Sequence, residues 1–291
     1  MTSIALAAAA RPQDPARHIG HAATLALHDE LALAPKPGLV SYVDSGSHRD
    51  MDAHTFERSL FALRPSFEAF ASLGARDADF AALEAEGIAA EARMLAATGG
   101  VNTHRGAIFT LGLLCACAGR LVEREHARID ATSLRCTLLD RWGHALAARS
   151  HRTSSSNGSR AARRYGLRSA GSEAALGFPV LFDVALPAMH RALARGLGER
   201  AARLDTLFAT MAALDDTNVV HRGGIDALRD VKRAAAGFVA AGGAARADAI
   251  EQAQSLHRAF VARNLSPGGS ADVLAAACWV QRVCRDGLFS P

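Results

Sequence analysis

Apolar residues along this 291-residue chain recur in steps of three and four almost from end to end, a spacing that admits few folds. Phe56, Leu60, Leu63, Phe67 and Phe70 follow it, as do Ile108, Leu111, Cys115 and Ala118, and later Val273, Ala277, Val280 and Cys284. On a helix such positions stack on one face, so each stretch buries a stripe against a neighbour. No segment alternates convincingly as a half-buried strand would, there is no βαβ rhythm, and alanine, the strongest helix former, dominates. The fold expected is all-α, a single compact domain of roughly ten helices over residues 16–291, after a frayed start at residues 1–15.

Composition removes several classes of function. A formal charge of +4 is too mild to argue for nucleic acid, and only 5% of residues are aromatic, with none interleaved in a basic run. The longest apolar stretch, residues 107–119, is expected to be too short for a bilayer and is broken by Thr110. The opening MTSIALAAAARP has no cationic leader before its apolar part, which speaks against a signal peptide. Five cysteines, an odd number set in alanine- and leucine-rich segments, read as buried small hydrophobes in a reducing cytoplasm. His18, His21 and His28 lie on an ordinary amphipathic helix, and no zinc motif occurs.

The unusual residues gather at four junctions between loops and helices. The first, PKPGLVSYVDSGSHRDMD at residues 35–52, holds Lys36, Asp44, His48, Arg49 and Asp50, and Asp52 or Thr55 can cap the helix that follows. The second, GGVNTHRGAIFTLGLL at 99–114, packs Asn102, Thr103, His104 and Arg105 before Gly106. The third is DDTNVVHRGGIDAL at 215–228, with Asn218, His221, Arg222 and Gly223, and the fourth is LSPGGSADVLAAA at 265–277, with Gly268, Gly269 and Ser270. A helix start has unpaired N–H groups and a partial positive charge, so it suits phosphate, and glycines let the backbone approach the ligand. Each junction alone could be no more than caps and turns; four together favour anion binding.

Adjacent Asp215 and Asp216 repel unless they share a cation or a proton, and a magnesium ion is an economical partner for them. The chain has no GxxxxGK[ST] loop, no GxGxxG after a strand and no GxSxG elbow, so a nucleotide would be held in some other way. Residues 150–171, rich in Ser, Gly and Arg, read either as a solvated loop or as a basic lid.

Taken in order, PKPGLVSYVDSGSHRDMD, GGVNTHRGAIFTLGLL, YGLRSAGSEAALGFP, DDTNVVHRGG and LSPGGSADVLAA resemble the triphosphoribosyl-dephospho-CoA synthases across nearly the whole chain. The resemblance implies an all-helical enzyme that joins the ribose carbon of ATP to the 2′-hydroxyl of 3′-dephospho-CoA and releases adenine. The product is a prosthetic-group precursor, passed to a holo-acyl-carrier-protein transferase. Ser41 and the wording YGLRSAGSEAALGFP look more like the malonate decarboxylase branch than the citrate lyase branch. An ATP β-ribosyl group that ends α-linked implies one in-line displacement with a general base and no covalent enzyme intermediate.

On that reading Glu91 is the first choice for base, and His104, ionising near neutral pH, protonates adenine or binds phosphate. Asp215 and Asp216 hold magnesium on the triphosphate, with Asp215 also counted among the catalytic residues. Lys36, Arg105 and Arg222 neutralise phosphates, and the Gly268-Gly269-Ser270 turn offers backbone donors. Asp44, His48, Asp50, Asn102, Thr103, Gly106, Glu173, Asn218, His221 and Gly223 complete the expected substrate contacts. Two rivals remain: a magnesium-assisted N-glycosidase that uses water as acceptor, and a helical scaffold for an acyl carrier protein with no ATP site.

Overall fold

A computed structural model describes residues 14–124, 129–150 and 157–285; most of the expected frayed start lies outside them. The chain in these segments is helical without strands, as the apolar period requires, and it forms twelve α-helices rather than about ten. In order they are α1 (Pro15–Ala32), α2 (Ala53–Ala75), α3 (Phe80–Thr98), α4 (Arg105–Glu123), α5 (Ala131–Ser150), α6 (Asn157–Tyr165), α7 (Ala170–Ala175), α8 (Leu186–Ala194), α9 (Glu199–Ala213), α10 (Thr217–Ala240), α11 (Ala249–Ala262) and α12 (Gly268–Arg285). A π-helical turn, Val180–Ala185, leads into α8.

Aspartates start several of these helices. Asp14, Asp52 and Asp79 cap α1, α2 and α3 by accepting a backbone N–H from the first turn, which satisfies a donor the helix itself leaves unpaired. Gly99 and Gly100, expected to admit a ligand, instead end α3: both have positive φ, and both N–H groups reach the Leu95 carbonyl. The Gly223-Gly224 pair lies inside α10 rather than before it, and Gly224, at φ 77° and ψ −175°, kinks the helix.

Helices α1, α2, α4 and α12 enclose the core around α4. Helix α4 has 19 residues with a mean hydropathy of 1.5 over its most apolar window, enough by length and composition to cross a membrane, so the expectation that this stretch is too short is corrected. Of that window 72% is buried inside the protein, as in a core helix. Its glycines explain how closely it packs on α2. A Cβ at Gly119 would run into the Ala71 carbonyl, one at Gly74 into the Ala116 carbonyl, and one at Gly112 into the Phe70 ring. Such small-residue contacts bring backbones together where larger side chains hold helices 8–10 Å apart. Helix α12 is tied to α1 by Trp279, whose indole N–H donates to the Ile19 carbonyl at 3.2 Å.

Cys115, Cys117 and Cys278 are buried as expected, whereas Cys136 is exposed and Cys284 is partly so. The described part of the 150–171 stretch is mainly helical, in α6 and α7, not a solvated loop; residues 151–156 lie outside the described residues. Helix α6 packs on α10, where a Cβ at Gly158 would meet Thr217 Oγ1 at 2.8 Å.

Candidate active site

The four junctions meet around the start of α4. From the first, Lys36 is 1% exposed and donates to Glu30 Oε1 at 2.5 Å and to the Glu30 carbonyl at 2.7 Å. Burial pulls the Lys36 ammonium down and pushes the Glu30 carboxyl up, and their mutual attraction opposes both shifts. Lys36, expected to neutralise phosphate, is here buried and bonded to Glu30.

From the second junction, His104 is 3% exposed at the N-cap of α4. Burial, and then the charge of Lys36, push its ring down to about 3, so the imidazole is neutral at pH 7 and the expectation of ionisation near neutrality is not met. Thr103 donates its hydroxyl to Ser59 Oγ at 2.7 Å, and Ser59 lies 2.6 Å from His104 Nδ1. With one hydrogen on Ser59 left to donate, the arrangement that uses it places it on Nδ1 and the ring proton on Nε2. His104 Nε2 is buried and has no hydrogen-bond partner. Phe56 meets the ring edge-on at 4.8 Å between centroids.

The third and fourth junctions are stitched together by Asp216, which is 2% exposed. It accepts from Ser270 N at 2.8 Å, Ser270 Oγ at 3.0 Å and Asn218 N at 3.1 Å, so one carboxylate serves the first turns of α10 and α12. Burial still pushes its carboxyl above the ordinary value. Asp272, two residues beyond Ser270, does the same for α4. The Ala107 N–H reaches its carboxylate, and a Cβ at Gly106 would run into Asp272 Oδ2. The α4 and α12 starts expected to bind phosphate thus already hold carboxylates of this chain.

Arg222 pins the junctions from outside. It donates to the Ser47 carbonyl and to Asn264 Oδ1, each at 2.9 Å, and lies 3.2 Å from His48 Nδ1. Burial and the Arg222 charge lower the ionisation of His48, which also meets Ser266 Oγ at 2.9 Å; Asp50, 3.6 Å away, opposes that shift. Asp44 closes its own turn on the Gly46 N–H at 2.8 Å and meets His257 at 3.2 Å. Gly223 is shaped by packing, since a Cβ there would come within 2.6 Å of Leu265 Cδ2. His221 and Asn218 are exposed on the first turns of α10, and Gly268 faces Asn218, whose Nδ2 would be 2.9 Å from an added Cβ.

At the rim, Glu91 of α3 pairs with Arg105, while Asn102 Oδ1 accepts the Arg105 N–H at 3.2 Å and so helps cap α4. Two residues expected to act separately, as base and as phosphate ligand, are therefore partners. On the flank formed by α6, α7 and α10, Asp215 accepts from Lys232 at 2.6 Å and from the Arg168 N–H at 3.2 Å. Burial raises the Asp215 carboxyl, but these donors win and hold it below the usual value. Buried Glu173 takes the Val180 N–H at 3.1 Å and an ion pair with Arg168 at 3.2 Å; burial lifts its carboxyl, and nearby Asp215 adds to the effect.

The Asp215-Asp216 pair does not fit a shared metal. The two side chains engage different partners, Lys232 and Ser270, and among the described residues no group of three or more His, Cys, Asp or Glu side chains is arranged to hold a metal. Sequence reasoning missed Glu30, Ser59 and Asp272. Each reads as an ordinary polar position of a helix, and only Gly106, a glycine in a first helical turn, hinted that something approaches there.

Among known proteins, a profile of the family described as ATP:dephospho-CoA triphosphoribosyl transferase matches residues 16–288. Enzymes named 2-(5''-triphosphoribosyl)-3'-dephosphocoenzyme-A synthase are similar over most of their length. That of Pectobacterium atrosepticum is 41% identical, covering 89% of this chain and 85% of its own. That of Klebsiella pneumoniae is 40% identical over 91% and 94%, and that of Escherichia fergusonii 39% over 94% of each. No solved structure matches. With a profile match over nearly the whole chain and relatives this similar, the chain belongs to the ATP:dephospho-CoA triphosphoribosyl transferase family.

Proposed function

We propose that this protein transfers the 5-triphosphoribosyl group of ATP to the 2′-hydroxyl of 3′-dephospho-CoA and releases adenine. The observation that carries the reading is about 40% identity to synthases of that name over nine-tenths of the chain. The geometry supports it, because the site gathers carboxylates, a neutral imidazole and rim cations at one helix start. In the transfer the C1′–N9 bond breaks and its electron pair leaves with adenine, while the acceptor oxygen bonds to C1′ from the opposite face. Positive charge grows on the ribose and negative charge on the purine. In this reading the Nε2–H of His104 donates a hydrogen bond to the departing base. Arg105, released from Glu91, meets phosphate, and Glu91 stands at the mouth as a carboxylate for the cationic ribose. Magnesium belongs to this reading as the counter-ion of the ATP triphosphate, since Asp215 and Asp216 do not form a chelate for it.

We place the enzyme in the malonate decarboxylase branch, on the wording around Ser41 and YGLRSAGSEAALGFP; its product would be consumed by a transferase that loads an acyl carrier protein. Incubation with ATP, magnesium and 3′-dephospho-CoA should yield free adenine and a dephospho-CoA heavier by one triphosphoribosyl unit. Adenine without that adduct would indicate a hydrolase, and neither product from folded protein would indicate a scaffold. For the branch, a strain lacking the gene should lose growth on malonate and keep growth on citrate; the reverse would move the enzyme to the citrate pathway.

A further inference from the structure

Around the start of α4 three carboxylates, Glu30, Asp216 and Asp272, stand against one ammonium, that of Lys36. Two of the three are fully engaged: Glu30 by Lys36, and Asp216 by two backbone N–H groups and a hydroxyl. Asp272 differs. It is the partly exposed one of the three, it accepts the Ala107 N–H, and among the described residues no cation pairs with it. Gly106 makes room for its carboxylate at the helix start, and His104, two residues earlier, leaves Nε2 buried without a partner in the same junction. A buried polar atom without a partner costs free energy, which a polar ligand group reaching Nε2 would offset.

We propose that Asp272 is the catalytic general base, taking the proton of the acceptor 2′-hydroxyl as its oxygen attacks C1′. This rests on the transfer reaction proposed above. The O2′–C1′ bond forms as the C1′–N9 bond breaks, the hydroxyl proton passes to the Asp272 carboxylate, and adenine leaves with the electron pair and takes its own proton from water. Burial first, and then the charges of Asp216 and Glu30, raise the Asp272 carboxyl well above its ordinary value, which makes its carboxylate a stronger base.

Asp272→Asn keeps the size of the side chain and an oxygen for the Ala107 N–H while removing the basic carboxylate. The variant should bind ATP as the parent does, melt at the same temperature, and lose about 10²- to 10⁴-fold in kcat, the usual contribution of a general base. A kcat within tenfold of the parent, or a kcat loss matched by lost ATP binding, would overturn the assignment. If the variant does not fold, the parent enzyme decides: its kcat should fall on acidification with a limb displaced upward from the ordinary carboxylate range. A profile flat above that range would sink the idea. The charges that bear on Asp272 are those of Asp216 and Glu30; Asp216→Asn, which removes one of them, should move that limb toward lower pH without abolishing it, and His104 titrates too low to supply it. A parent that makes no triphosphoribosyl-dephospho-CoA would overturn the proposed function and this assignment together, whereas an active parent with an active Asp272→Asn variant overturns this assignment alone.

Discussion

The inner cluster and the rim of the site use the same residue types in opposite ways. Inside, Glu30, Asp216 and Asp272 are held largely by backbone N–H groups and one buried ammonium, and their ionisation is displaced by burial. At the rim, Glu91 meets Arg105 and Asp215 meets Lys232, with side chains 20–49% exposed. The difference teaches that in this fold a carboxylate's chemistry depends on how many helix starts surround it, more than on its nearest charged neighbour in sequence. Adjacent Asp215 and Asp216 are the sharpest case, because one turn of chain sends them to different environments.

Removing Lys36 should test the contrast most severely. Lys36→Met leaves Glu30 as a buried, unpaired carboxylate and should cost about 3–5 kcal/mol in urea denaturation. A loss below about 1 kcal/mol would mean that the inner pair behaves like a surface pair. Gly106→Ala should come next, at about 1–3 kcal/mol, because the new methyl displaces Asp272 from the α4 start. Activity should fall with it, while Gly99→Ala, where nothing lies within 4 Å of the added Cβ, should affect the end of α3 alone.

His104 offers a pH test. Its folded ionisation lies near 3 against 6.5 for a free histidine, so as pH falls through that window the unfolded chain takes up a proton that the native protein refuses. The contribution is complete above about 6.5 and is lost toward 3, by about 1.4 kcal/mol per pH unit within the window. The raised carboxylates tilt stability the other way, so the parent minus His104→Gln difference isolates the histidine; an absent slope in that difference would place the ring in water. Smallest is the rim: Glu91→Gln should change stability by less than about 1 kcal/mol, yet Arg105→Ala should raise the KM for ATP. An unchanged KM would remove Arg105 from the phosphate contacts.

Much of this was legible in the sequence. The helical period is local information, and α2, α4 and α12 follow it as written. Asp52 announced itself as a cap because a cap is a local hydrogen bond. The relation between Asp272 and Gly106 was not legible, since 166 positions separate them and each looks ordinary in its own helix. The charges of Lys36 and Arg222 were visible in the sequence, but the burial of Lys36 against Glu30 and the contacts of Arg222 with Ser47 and Asn264 were not. Helix α6 was missed for the opposite reason: the arginines and serines around it suggested a solvated stretch, but Ala161 and Ala162 give it a buried face. The neutrality of His104 follows from an enclosure built by three elements, which no window along the chain contains.

The glycine crossing of α2 and α4 has a mechanical consequence for the site. Backbone contact at Ala71, Gly74, Ala116 and Gly119 makes a fulcrum, and Ser59 lies on the same rod twelve residues away, about 18 Å along the axis. A tilt of about 3° at the fulcrum would carry Ser59 roughly 1 Å from His104, enough to break a 2.6 Å hydrogen bond. A methyl group added at Gly119, far from any substrate, would act as a wedge whose displacement is read at the other end of the lever, in the tautomer of a histidine.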